Sequence, residues 1–167
     1  MSKRNAALIG WMIDYHGADV NLTEHMLKVH GYAKTIGYLE GLDSAAQAAL
    51  EAAAIVHDIG IPVSRQKYGS HAGHYQEMEG PKIALEAMEA VGGFSQAEKE
   101  RVCNLVGRHH TYTDVDGLDC RILLEADYLV NSQTGKASKK AVLTFMEKVF
   151  KTKTGIEILK TMHGIVD

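Results

Sequence analysis

Apolar residues along this chain recur at intervals of three and four and almost nowhere alternate, so the pattern predicts helices rather than sheet. A first helix is expected from about Asn5 to Tyr15, with Leu8, Ile9, Trp11, Met12 and Tyr15 on its apolar side. A second begins at Asn21, which makes an approximate capping box with Glu24, and carries the stripe Leu22, Met26, Val29, Ala33 and Ile36. Asp43 is placed to cap a third, ending at Ile59, with Gly60 closing it and Pro62 acting as a downstream stop. A polar stretch from Ile61 to about Glu79 reads as a loop. Gly80-Pro81 then opens another helix that Gly92-Gly93 ends. Ser95 and Glu98 form a capping box for a helix through His110, striped by Val102, Leu105, Val106 and His109. Asp119 can cap the next, whose inner face is Ile122, Leu123, Ala126 and Val130. Two C-terminal helices follow, the last opening at Thr154 with Glu157 in capping-box spacing. The expectation is an all-α bundle of about seven helices.

Two kinds of residue do not belong on such apolar stripes. His57 and Asp58 close the run Ala52-Ala53-Ala54-Ile55-Val56, and both fall on the inner face of its last turn. Asp127 lies one turn after Leu123, again on the buried side, and His25 lies within the stripe of Leu22 and Val29, whereas His30 is at its edge. Buried aspartates are rare without a partner. An imidazole beside a buried carboxylate costs several kcal/mol unless both are satisfied, and a divalent cation satisfies both at once. The first proposed site is therefore His25, His57, Asp58 and Asp127, a mixed nitrogen and oxygen set on separate helices suited to manganese, iron, cobalt, nickel or zinc. The same residues also read, without metal, as core histidines bonded to the two carboxylates.

The order His25-Met26-Leu27-Lys28-Val29, then His57-Asp58-Ile59-Gly60, then Arg108-His109-His110-Thr111, then Leu124-Glu125-Ala126-Asp127 resembles the HD-domain superfamily of metal-dependent phosphohydrolases, from about Leu22 to Asn131. The resemblance implies that the four residues hold one divalent metal. It implies hydrolysis of a phosphoester by activated water, with Asp58 in the catalytic role and an adjacent carboxylate or His passing the proton. In binuclear relatives Asp58 would bridge to a second ion, for which His74 or His71, with His110 or His109, are the candidates. The usual His-x-x-x-Gly of that second site would place its ligand at Gln76, so the chain departs from the pattern there; Glu77 and Glu79 are alternative oxygen ligands. Relatives that open cyclic dinucleotides carry Lys three residues after the HD aspartate and a Gly-Tyr-Pro signature. Ile61 and Leu118-Asp119 stand here instead, which disfavours that activity. The resemblance leaves open two further functions, a di-iron oxygenase of the myo-inositol oxygenase kind and a non-catalytic ligand-binding HD domain.

Length and charge narrow the substrate and the setting. At 167 residues the chain is one domain, with a motif-bearing core over 22–131 and C-terminal helices over 132–167. A net charge of -3 offers no basic excess for a nucleic acid polymer or an anionic membrane. A small phosphorylated metabolite or nucleotide must then be met locally, by metal and by Lys28, Arg65, Lys67 and Arg108, each of which also reads as solvated surface charge. Tyr68 and Tyr112 are candidates to line the pocket or to pack. Cys103 and Cys120 lack C-x-x-C spacing, the N-terminal segment lacks a signal-peptide core, and no apolar run approaches membrane length, so a cytoplasmic protein is expected. Assembly into a homo-oligomer is left open.

Overall fold

The computed structural model describes residues 2–134 and 137–165. These form nine helices and no strand: α1 (Lys3–His16), α2 (Val20–Leu39), α3 (Ser44–Val56), α4 (Ile61–Tyr68), α5 (Gly73–Val91), α6 (Gln96–Val106), α7 (Gly117–Thr134), α8 (Lys139–Val149) and α9 (Lys153–Met162). The all-α class is as expected. The helix not expected is α4, which lies in the stretch read as loop. Of the C-terminal helical stretch, residues 135–136 and 166–167 lie outside the described residues.

The helix starts follow from side-chain caps that satisfy otherwise unpaired backbone donors. Ser2, Asp19, Asp43, Ser95, Ser138 and Thr152 each accept from a backbone N–H in the first turn of the following helix, and Ser95 with Glu98 makes the complete reciprocal box. Several of the expected starts move. Helix α2 begins one residue before Asn21 because Asp19, not Asn21, is the cap. Helix α9 is capped by Thr152, and the N–H of Thr154 instead donates to Glu40 Oε1 at 2.7 Å, tying the C-terminal segment to α2. Asp119 lies inside the first turn of α7, where its carboxylate takes a two-pronged contact from Arg101 at 2.8 and 2.6 Å that joins α6 to α7.

Helix α3 occupies the centre, packed against α1, α2, α6 and α7. Its alanines let neighbouring backbones approach closely, and every residue from Ala49 to Ile61 is buried. It ends at Val56 rather than Ile59: the amide of Ile59 turns back to Val56 O and that of Ile61 to Asp58 O, forming a turn that feeds α4. Pro62 therefore starts a helix, where its missing N–H costs nothing. The sequence pattern hid α4 because its outward residues Arg65, Gln66 and Lys67 are solvated.

Helix α5 likewise starts at Gly73 and carries Pro81 within it, where the sequence suggested a start at Gly80-Pro81. A proline inside a helix costs about 3 kcal/mol, so tertiary packing must offset it, and the glycines around it show where. A Cβ at Gly60 would stand 2.9 Å from both Gln76 O and Gly80 N, and one at Gly80 would meet Val106 at 2.8 Å. The turn after α3 thus lies directly on the backbone of α5. Gly60 is needed for close approach, since its φ of -73° suits any residue.

The C-terminal helices are fastened by Glu125, whose side chain is fully buried in α7. It accepts from the amides of Lys151 and Thr152 at 2.7 and 3.1 Å and from the Thr152 hydroxyl. Gly155 leaves room for that carboxylate.

Gly60→Ala is expected to lower stability by about 1–3 kcal/mol through overpacking. Gly31→Ala, on the exposed side of α2 with nothing within 4 Å, should raise it by about 0.8–1 kcal/mol. Urea unfolding midpoints check the pair, and a Gly60 variant as stable as wild type would refute the close packing.

Candidate metal centre

Four side chains from α2, the end of α3 and α7 converge at one buried point. His25 comes from the inner stripe of α2, His57 and Asp58 from the turn after α3, and Asp127 from the middle of α7. His25 Nε2 lies 3.1 Å from His57 Nε2, 3.3 Å from Asp58 Oδ2 and 3.1 Å from Asp127 Oδ1. His57 Nε2 is 3.6 Å from both of those carboxylate oxygens. Bonds of about 2.0–2.2 Å to a common ion place neighbouring donor atoms about 3.0–3.5 Å apart at tetrahedral or octahedral angles. The residues fit a metal.

Their protonation also fits. His57 Nδ1 is 3.0 Å from Ala54 O, and a carbonyl can only accept, so Nδ1 carries a proton and Nε2 is the ring nitrogen left facing the carboxylates. His109 Nδ1 likewise donates to Val106 O at 2.7 Å; burial opposes a charge on this ring, but Asp58 raises its pKa, so that without an ion Nε2 donates to Asp58 Oδ1 at 3.1 Å. Burial alone would push both carboxylates up. His57, His109 and His25 instead hold Asp58 well below the usual carboxylate range, and His25 and His57 do the same for Asp127. Burial opposes a charged His25, but Asp127 and Asp58 outweigh it and raise its pKa to about 9. In this geometry a proton on His25 supplies the positive charge that an ion would supply.

A second donor group shares Asp58. Its Oδ1, the oxygen turned away from His25, lies 3.1 Å from His109 Nε2, and His110 joins them with all three ligand atoms within 4.8 Å of one another. His110 Nε2 is buried without a hydrogen-bond partner. Burial, then the neighbouring His109, lowers its pKa to about 4, leaving a neutral imidazole. Gly73 makes space for this ring, since a Cβ there would touch it at 2.7 Å. Glu77 Oε1 accepts from the His110 amide at 3.0 Å and the Thr111 hydroxyl at 2.9 Å, fixing the segment.

The other expected positions divide. His74 is exposed and packs its ring on Tyr75, and His71 is exposed as well, so neither enters a donor group. Gln76 is buried at the position of the usual ligand; its Nε2 donates to His71 O, while its Oε1 has no partner. Glu79 is held by Lys67 and Tyr68, each at 2.7 Å. Arg108 reaches Asp114 O. Lys28 and Arg65, by contrast, line a cavity together with His25. Tyr112 is exposed and packs edge-on against the Phe145 ring at 5.2 Å. Sequence reading missed Asn131, whose Nδ2 donates to Asp127 Oδ1 at 2.9 Å. The available signal was its spacing, one helical turn after the aspartate.

The profile of the HD domain family matches residues 22–132, two thirds of the chain and the whole span from His25 to Asp127. The chain belongs to the HD-domain family. No curated protein and no solved structure gives a significant match. In this HD domain His30 is turned away from the donor groups, its Nε2 lying 3.6 Å from Glu51 in a separate buried network with Asn5 and Gln47.

Asp58→Ala and His25→Ala are expected to abolish stoichiometric metal binding in protein that remains folded, and His30→Ala to retain it. Elemental analysis after metal loading, with circular dichroism as the folding control, decides this; loss with His30 and retention with His25 would reject the assignment. Asn131→Ala should weaken metal retention about 10–100-fold by releasing the Asp127 carboxylate, measured by competition with a chelating dye.

Proposed function

We propose that this HD domain is a metal-dependent phosphohydrolase acting on a small phosphorylated metabolite or nucleotide. The observation that carries the reading is the set of buried His57, Asp58 and Asp127 with partly exposed His25, with donor atoms 3.1–3.6 Å from their neighbours. Manganese, iron, cobalt, nickel and zinc suit these ligands. When bound, such an ion lowers the pKa of water and polarises a phosphoryl oxygen.

The chain's own groups have distinct parts. The carbonyls of Ala54 and Val106 fix the imidazoles in the tautomer that presents Nε2. Asp58 turns one oxygen to each donor group and so orients whatever lies between them. Glu77 is pinned beside His110 and, with that neutral imidazole, is placed to carry a proton away. Lys28 and Arg65 supply the cations for a phosphate at the His25 side.

A second reading, oxidation at a di-iron pair, draws on the Asp58, His109 and His110 group. It needs both positions filled by a redox-active metal, whereas hydrolysis needs only one Lewis-acidic ion.

Manganese, cobalt or nickel should support phosphate release from a panel of phosphate esters under anaerobic conditions, and Asp58→Asn should abolish it. Turnover confined to iron and dependent on dioxygen, with no phosphate released, would replace hydrolysis by the oxidative reading.

A further inference from the structure

A cavity of about 380 Å³ adjoins the metal centre between α2, α4 and α7. His25 is the residue shared with the donor groups. Around it stand Asp19, Asn21, Glu24, Lys28 and Arg65. The apolar lining is confined to Leu22 and Val130, and the one aromatic ring among the described lining residues is the His25 imidazole. The volume is at the small end of the roughly 300–1,000 Å³ typical of small-molecule sites.

The charges are arranged in self-neutralised pairs. Lys28 Nζ lies 3.0 Å from Glu24 Oε2, and Arg65 Nη1 lies 3.4 Å from Asp19 Oδ2. All four side chains are more than a third exposed, and such pairs contribute about 0–1 kcal/mol. An incoming phosphate can therefore recruit either cation at little cost. Doing so frees Glu24 and Asp19, which can only accept hydrogen bonds. The ligand that satisfies the whole cavity carries both an anionic group and several hydroxyl donors. A nucleobase is poorly served, because its recognition draws about 1–3 kcal/mol from stacking on an aromatic face, no Phe, Tyr or Trp lines this cavity, and its one ring, His25, is held by Asp58 and Asp127.

Resting on the hydrolase reading above, we infer that this cavity is the substrate site and that its substrate is the phosphate monoester of a small polyhydroxylated alcohol, a sugar or polyol, rather than a nucleotide. A water oxygen bonds to phosphorus as the ester P–O bond breaks, and the departing alcohol oxygen gains the proton the water loses. The products are inorganic phosphate and the free polyol, with no oxidant or reductant consumed.

The test uses the full chain with manganese. Phosphate release is measured from sugar and polyol phosphates, from nucleoside 5′-monophosphates, and from p-nitrophenyl phosphate, an ester with neither hydroxyls nor a base. The best polyol phosphate should exceed the best nucleotide about tenfold or more in kcat/KM, the worth of one to two well-made hydrogen bonds. The double variant Asp19→Asn with Glu24→Gln keeps the α2 cap, since Asn caps as well as Asp. It should raise the KM for the polyol phosphate about tenfold and weaken calorimetric binding of its phosphonate analogue, in which a methylene replaces the ester oxygen, by a similar factor. Nucleotides preferred or equal, or unchanged analogue binding in the double variant, would overturn the substrate assignment while hydrolysis stands. No phosphate from any ester, p-nitrophenyl phosphate included, would overturn the hydrolase reading itself.

Discussion

The carboxylate of Asp58 sits where water cannot compensate it, and the imidazoles around it are arranged to do so. A lone ionised carboxylate in such a place would be expelled or neutralised. Here His25 and His57 face one oxygen and His109 faces the other. The interaction needs groups from three distant parts of the chain, so it can form only when α2, α3 and α6 are already in register. Asp127 adds α7 through the same two imidazoles. The charge requirement at one residue is thereby a requirement on the relative placement of four helices.

The backbone around Asp58 meets that requirement by unusually close contact. Alanines in α3 and the glycines at positions 60, 73 and 80 remove side chains where the turn after α3, the His110 ring and helix α5 crowd together. Polar pins then set orientation: the Ala54 and Val106 carbonyls for the rings, Asn131 for Asp127, and Glu77 for the segment carrying His110. Packing brings the donors near, and these bonds aim them.

Much of this is legible in the chain itself, because charge on an apolar stripe is an anomaly that periodicity exposes. Helical spacing alone turns His25 and Asp127 inward on the stripes of α2 and α7, and it separates His25 from His30. Three things are not legible, each for a physical reason. Helix α4 turns a solvated face outward and so carries a weak apolar period. Pro81 reads as a boundary, and only tertiary contact with Gly60 and Val106 keeps it inside α5. The choice between His74 and other residues of the second group depends on where the segment after α4 leads, and it leaves His74 in solvent while burying Gln76. The reach of Asn131 to Asp127 follows from helical spacing, yet an Asn one turn from an Asp has many innocuous readings.

Glu125 carries a different implication. It stands two residues before Asp127 on α7, and it accepts three hydrogen bonds from the segment that leads from α8 into α9. The family profile stops at residue 132, but this carboxylate does not. The stretch that recurs among related proteins and the stretch that can fold as one body are therefore not the same length. A shortened chain ending near residue 132 would keep every donor of the candidate centre while leaving a buried acid on the helix of Asp127 with nothing to receive it. The C-terminal helices contribute no donor atom, yet they are part of what allows α7 to present one.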